Sequence, residues 1–190
     1  MRDIANSAVE ILNSIDFDDW DLDCIDLFSH VVASADDYRP LFVRTTGVLT
    51  SYKKDFEEKR QLDNISANLY VNMILRAMQD YFHEIKSPTA SNDKLKNLKD
   101  LIVANFNCLL LVSKNGTRFR YRVAAASIRY GIVFNDIDET MEGFETLIKA
   151  NQKEIIKLTL KEVEDYALQN WKDDFQNTFA DAIEFSGYGK

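Results

Sequence analysis

Turn-forming residues are scarce, with 6 Gly and 2 Pro in 190 residues. A sandwich or barrel of many short strands needs far more of them, so those architectures are excluded. Cysteine is equally sparse. Cys24 and Cys108 share no Cys-x-x-Cys spacing, which indicates neither a zinc site nor a redox motif and reads as two buried thiols. Only His30 and His83 supply imidazoles. No run of about 18 apolar residues occurs, so no membrane span is expected. "MRDIANSAVEIL" carries Asp3 and Glu10 where a secretion leader would be basic and then apolar. A cytoplasmic location is the expectation. Positive charge is in deficit, 23 Lys and Arg against 31 Asp and Glu for a net −8. That disfavours direct contact with nucleic acid or anionic membrane and suits a basic partner.

What is present fits one folded domain over 1–190: hydrophobic residues at 46% and charged residues at 28%. Such a length buries roughly 70% of the surface its unfolded form exposes. Leu, Ile, Ala, Lys and Glu fill long periodic stretches, which predicts an all-α bundle of about seven to eight helices. Residues 5 to 15 place Ile4, Ala8, Ile11, Leu12 and Ile15 on one stripe. "DFDDWDLDC" then supplies carboxylates ahead of and inside the first turn of a second helix, where they oppose the helix dipole. Asp19, Asp21 and Asp23 alternate as in a calcium loop, but Cys24 stands where glycine is required and His30 where a bidentate Glu belongs. Pro40 ends that helix, and a third is expected within 43 to 58. "LDNISANLYVNMILRAMQDYFHEI" carries two adjoining stripes, at 65, 69, 73 and 77 and at 71, 74, 75, 78, 82 and 85, and so predicts a central helix buried on more than one side. "KSPTASND" is a loop, and Leu95, Leu98, Leu101, Ile102, Phe106, Leu109 and Leu110 continue as helix.

Residues 108–123, "CLLLVSKNGTRFRYRV", admit two readings. Asn115-Gly116 between an apolar run and a strict alternation signals a short β-hairpin. The favoured reading is helix, with Gly116 as a C-cap, Phe119, Val123, Ala126 and Tyr130 on one face, and closure at Gly131, because the three alanines suit helix better than strand. "NDIDETMEGFETLIKANQKEIIKL" opens with Asp136 and Glu139 at capping-box spacing. "TLKEVEDYALQNWKDDFQNTFADAIEF" repeats the device with Thr159 and Glu162, then buries Val163, Tyr166, Ala167, Asn170 or Trp171, Phe175, Phe179 and Ile183.

Catalytic signatures are missing: no nucleophile elbow, phosphate loop, dinucleotide fingerprint or zinc-protease run. Catalytic, metal and cofactor-binding residues are therefore none. The one local charge inversion is Arg118, Arg120, Arg122 and Arg129, four cations within twelve positions of an acidic chain. Arginine forks suit carboxylate or phosphate recognition, so these are the candidate binding residues. Pairing with the Asp and Glu of neighbouring helices competes.

"SIRYGIVFNDIDETMEGFETLIKANQ" and the "TLKEVEDYALQNWKDDFQNTFADAI" that follows resemble the globin superfamily, over roughly the last 65 residues. Arg129, Tyr130, Gly131 and Ile132 are similar to the run after the proximal histidine, and Thr159 with Tyr166 or Trp171 to the capped final helix. "LFSHVVASADDYRPLF" looks like the second helix and its corner, with Phe42 as the aromatic that would pack on haem, and the distal residue would fall near Ala67. The departure is decisive for chemistry. The proximal slot falls on Ser127, a poor iron ligand, and no histidine follows His83. The resemblance then implies a globin-like domain without haem, of the sensor or antenna kind, with no cofactor.

Two classes of function follow. The first is a non-enzymatic regulatory or sensor domain that binds another protein, with homo-oligomerisation left open. The second is an acidic decoy that inhibits a nucleic-acid-binding protein, as a viral or phage accessory protein would, its carboxylates standing in for phosphates. A tetrapyrrole or haem binder is the remaining alternative.

Overall fold

The computed structural model describes residues 2–16, 19–41, 45, 56–113 and 119–189, with the side chains of 56–62 and 170 left aside. Its helices are α1 (Arg2–Ser14), α2 (Leu22–Val31), α3 (Phe56–Ile85), α4 (Asn92–Ser113), α5 (Arg120–Phe134), α6 (Ile137–Lys149), α7 (Lys153–Tyr166), α8 (Gln169–Asp173), α9 (Phe175–Thr178) and α10 (Ala180–Ser186). No strand occurs among the described residues, so the fold is all-α. Residues 108–113 and 120–123 are helical. The Asn115-Gly116 turn of the hairpin reading lies outside the described residues, as do Phe42 and most of the third helix expected within 43 to 58.

α3 is the wall shared by two cores. Its Ile65, Leu69 and Met73 pack with Leu12 of α1, Ile25 and Phe28 of α2, and Trp20, Val32 and Leu41. The opposite face carries Tyr70, Ile74, Ala77 and Met78 against Ile102 and Leu109 of α4 and Ala126 and Val133 of α5. The two stripes in the sequence are kept in part: Ala77 of the first packs with the second set, and Ile85 of the second is 47% exposed. α5 repeats the arrangement. Ala124, Ile128 and Ile132 turn away from α3 toward Phe144 and Leu147 of α6, Ile156, Leu160 and Val163 of α7, and Trp171, Phe175 and Phe179 beyond. Each such side chain contributes about 1.5–3 kcal/mol when fully buried, so helices buried on two faces dominate the stability.

Local chemistry sets the boundaries. Asp21 caps α2 by accepting the Cys24 N–H at 2.9 Å, and that bond holds its carboxyl below the usual range. Asp136 caps α6 by accepting the Glu139 N–H at 3.0 Å, as its spacing predicts. The α3–α4 connection is tied by Glu84, which is buried, pairs with Lys94 and accepts the Ser91 N–H at 3.1 Å. Lys94 first, and then that amide, hold the Glu84 carboxyl low.

Four expectations change. In α1 the buried set is Ala5, Ala8, Val9 and Leu12, while Ile4 is 73% and Ile11 60% exposed. The apolar positions of α1 form two overlapping stripes, and packing on α2 and α3 selects the second. α5 does not close at Gly131 but continues to Phe134. The left-handed Asn135 (φ 57°) turns the chain, and the Asp136 N–H reaches back to the Gly131 carbonyl at 2.8 Å. The run from 135 to 158 is two helices, broken at left-handed Asn151 (φ 54°). Thr159 and Glu162 accordingly cap nothing. Both lie inside α7, where the Thr159 hydroxyl donates to the Ile155 carbonyl at 2.9 Å.

Candidate functional site

α5 and α6 cross closely enough that two glycines are required. A Cβ on Gly131 would collide with Thr140 Oγ1 and stand 2.6 Å from the Asp136 carbonyl. One on Gly143 would stand 2.7 Å from Ile128 Cγ1 and 2.8 Å from the Ala124 carbonyl. α4 lies to one side of this pair. The space between the three helices is a cleft of about 990 Å³.

Its apolar lining is Phe106 and Leu110 of α4, with Val123 and Ala124 of α5. Arg120, Glu139, Glu142 and Lys149 add charge, and Ser113, Ser127 and Thr146 add hydroxyls. The apolar surface continues outward, since Leu110 is 38% and Leu111 60% exposed.

Among the described residues Ser127, like Ser66 of α3 and Thr146 of α6, lacks the back-bond that other helical hydroxyls make. Those of Ser113, Thr159 and Ser186 each donate to the carbonyl four residues back, at 2.7, 2.9 and 2.7 Å. Ser127 is only 8% exposed and lines the cleft, yet its hydroxyl has no hydrogen-bond partner among the described residues. Its oxygen is open to the cleft and its solvent, and offers donor and acceptor capacity to whatever enters. The neighbouring Ala126 points the other way, into the α3–α5 contact. The slot that the globin resemblance assigns to the proximal ligand therefore faces α4 and α6, not α3.

The four candidate arginines are not gathered into one surface. Arg118 lies outside the described residues. Arg129 is buried and forms a two-bond fork with Glu162 of α7, Nε to Oε2 at 3.0 Å and Nη2 to Oε1 at 3.1 Å. Arg122 donates to the Asn64 carbonyl at 3.4 Å and lies over the Phe119 and Tyr121 rings at 5.6 and 5.5 Å. Arg120 is exposed at the cleft and has no ion pair among the described residues. The fork satisfies a carboxylate inside the protein, whereas Arg120 faces outward.

A second groove, of about 580 Å³, lies on the other flank of α6, lined by Glu145, Ile148, Lys149, Asp181, Glu184 and Phe185. Lys149 borders both spaces and holds Glu145 at 3.1 Å. Glu139, Glu142, Asp181 and Glu184 have no ion-pair partner among the described residues.

His30 sits on α2 with Nδ1 2.8 Å from the Asp26 carbonyl, and His83 is exposed in the last turn of α3. Neither lines the cleft. Cys24 and Cys108 are free thiols on different helices, each half-buried. Among the described residues no cluster of His, Cys, Asp and Glu could hold a metal ion, and no helix is long and apolar enough to cross a membrane. The sequence did carry a trace of the cleft. Cys108 to Val112 are five apolar residues in a row on a helix, more than one inward face can use, so some must remain outside.

No protein-family model, curated protein or solved structure matches this chain.

Proposed function

We propose that this chain is a non-enzymatic helical domain that binds another protein, and that the cleft between α4, α5 and α6 is the surface it uses. The observation that carries the reading is an apolar floor at Phe106, Leu110, Val123 and Ala124, set within a charged and hydroxylated border and continuing onto exposed Leu111. Contiguous exposed apolar surface rimmed by polar groups is what interaction sites present. The open, three-helix geometry suits a segment of a partner better than an enclosed small molecule. Arg120 remains a member of the proposed surface. Arg129 supports it from inside by tying α5 to α7.

The test is site-directed photocrosslinking in the native host. Benzoylphenylalanine at Leu110 is expected to give a discrete protein adduct that Thr146→Trp removes by filling the cleft. The same probe at Leu158, exposed on α7, is expected to give none. Equal adducts at both positions, or no protein adduct at Leu110, would overturn the reading.

A further inference from the structure

Building on that reading, we infer that the occupant of the cleft is a basic amphipathic helix of the partner, lying along α6. Two features select it. The floor of the cleft is apolar, and Ser127 and Thr146 add hydroxyls that have no hydrogen bond among the described residues. That is the pattern an amphipathic helix meets when its apolar stripe enters a groove. The border beside that floor is acidic: Glu139 and Glu142 stand on the cleft side of α6, and Asp181 and Glu184 in the groove on its other flank, all without ion-pair partners among the described residues.

Of the cations there, Lys149 already pairs with Glu145, which leaves Arg120 at the cleft and Lys153, whose Nζ lies 5.3 Å over the Phe185 ring, beside the second groove. A helix that presents apolar side chains to the floor and lysines or arginines to α6 therefore meets unpaired carboxylates on both flanks. An acidic helix would meet the four unpaired carboxylates against two cations, Arg120 and Lys153. The polar edge of the incoming helix can bond the Ser127 hydroxyl, and the charge pairing speeds association and fixes register while like charges set face to face cost affinity.

Two peptides of about 18 residues, roughly five helical turns, provide the test. One carries a leucine stripe with lysines elsewhere, and its twin has glutamate for every lysine. Each is titrated into the isotopically labelled full chain and followed by nuclear magnetic resonance. The lysine peptide is expected to shift Ala124, Ser127, Gly143 and Thr146 and to weaken with added salt. Glu142→Lys with Glu184→Lys is expected to lower its affinity at least about tenfold, and the twin is expected to bind at least about tenfold more weakly. Thr146→Trp blocks the site, and thermal melts confirm that each variant folds.

Equal binding of the two peptides, shifts centred on α1 and α2, or indifference to the double charge reversal would overturn the inference. If the inference fails while the probe at Leu110 still captures a protein, the docking surface stands and the basic helix falls. If that probe also captures nothing, both fall.

Discussion

Gly131 and Gly187 are glycines for different reasons, and their substitutions separate those reasons. Gly187 has φ +71° and open space around it, so alanine there meets only the left-handed penalty, about 1 kcal/mol. Gly131 lies within α5, where alanine would collide with Thr140 and with the Asp136 backbone. Gly131→Ala is expected to lower stability by about 1–3 kcal/mol in urea unfolding. Thr140→Ala should not rescue it, because the carbonyl contact remains. Rescue would mean that the side chain alone sets the helix separation. The Arg129–Glu162 fork obeys another rule. Removing one partner strands a charge, whereas removing both leaves an apolar contact. Arg129→Met is expected to cost about 3–5 kcal/mol, and adding Glu162→Leu should recover most of it. A double variant as unstable as the single one would show that lost packing, not the stranded carboxylate, sets the loss.

Among the elements, α1 tests how an amphipathic stripe is chosen. Leu12 is 1% exposed, so Leu12→Ala is expected to cost about 2–5 kcal/mol. Ile4→Ser with Ile11→Ser should stay within about 0.5 kcal/mol per site in the same denaturant titration. The opposite ranking would put Ile4 and Ile11 against the core. This helix also marks what the sequence makes legible. Periodicity locates α1 and α3, and in α3 it finds Ile65, Leu69 and Met73 on one face and Ile74 and Met78 on the other, while Val71, Leu75 and Phe82 stay half-buried and Ile85 is exposed. In α1 two stripes overlap and only the neighbours decide between them. The break between α6 and α7 rests on the single left-handed Asn151, which no period announces. Asp136 is readable as a cap because capping is local, whereas Asp21 reads only as one of several carboxylates at the start of α2. The hydroxyl of Ser127 is not readable, because its meaning depends on α4 and α6 standing opposite.

For the molecule as a whole, three bodies of core are joined through α3 and α5, and two of the ties that hold them have their own tests. Asp36 accepts Arg2 Nε at 2.9 Å and Asn6 Nδ2 at 2.8 Å, latching the 33–38 segment onto α1. Those bonds, Arg2 foremost, hold its carboxyl at about 2. A carboxyl lowered in the folded state stabilises it above the unfolded value of about 4. That stability is lost as pH falls toward the folded value. Asp36→Asn should therefore have a lower urea midpoint than the parent at neutral pH, with the difference closing in strong acid; a gap that persists there would assign the effect to shape instead of charge. The second is the α3–α5 contact, where the globin resemblance of the sequence would put a haem. Here Tyr70, Ile74, Ala77 and Met78 of α3 meet Ala126 and Val133 of α5 directly. Ser127 looks into the other cleft, away from either histidine. Opening the contact for a porphyrin would expose that apolar surface at about 25 cal/mol per Å², with no imidazole on α5 to offset the loss. Haemin added to the protein is thus expected to keep the broad absorption of loosely held pigment. A sharp Soret band at one haemin per chain, abolished by His83→Ala, would require α3 and α5 to part and would make the contact a gate.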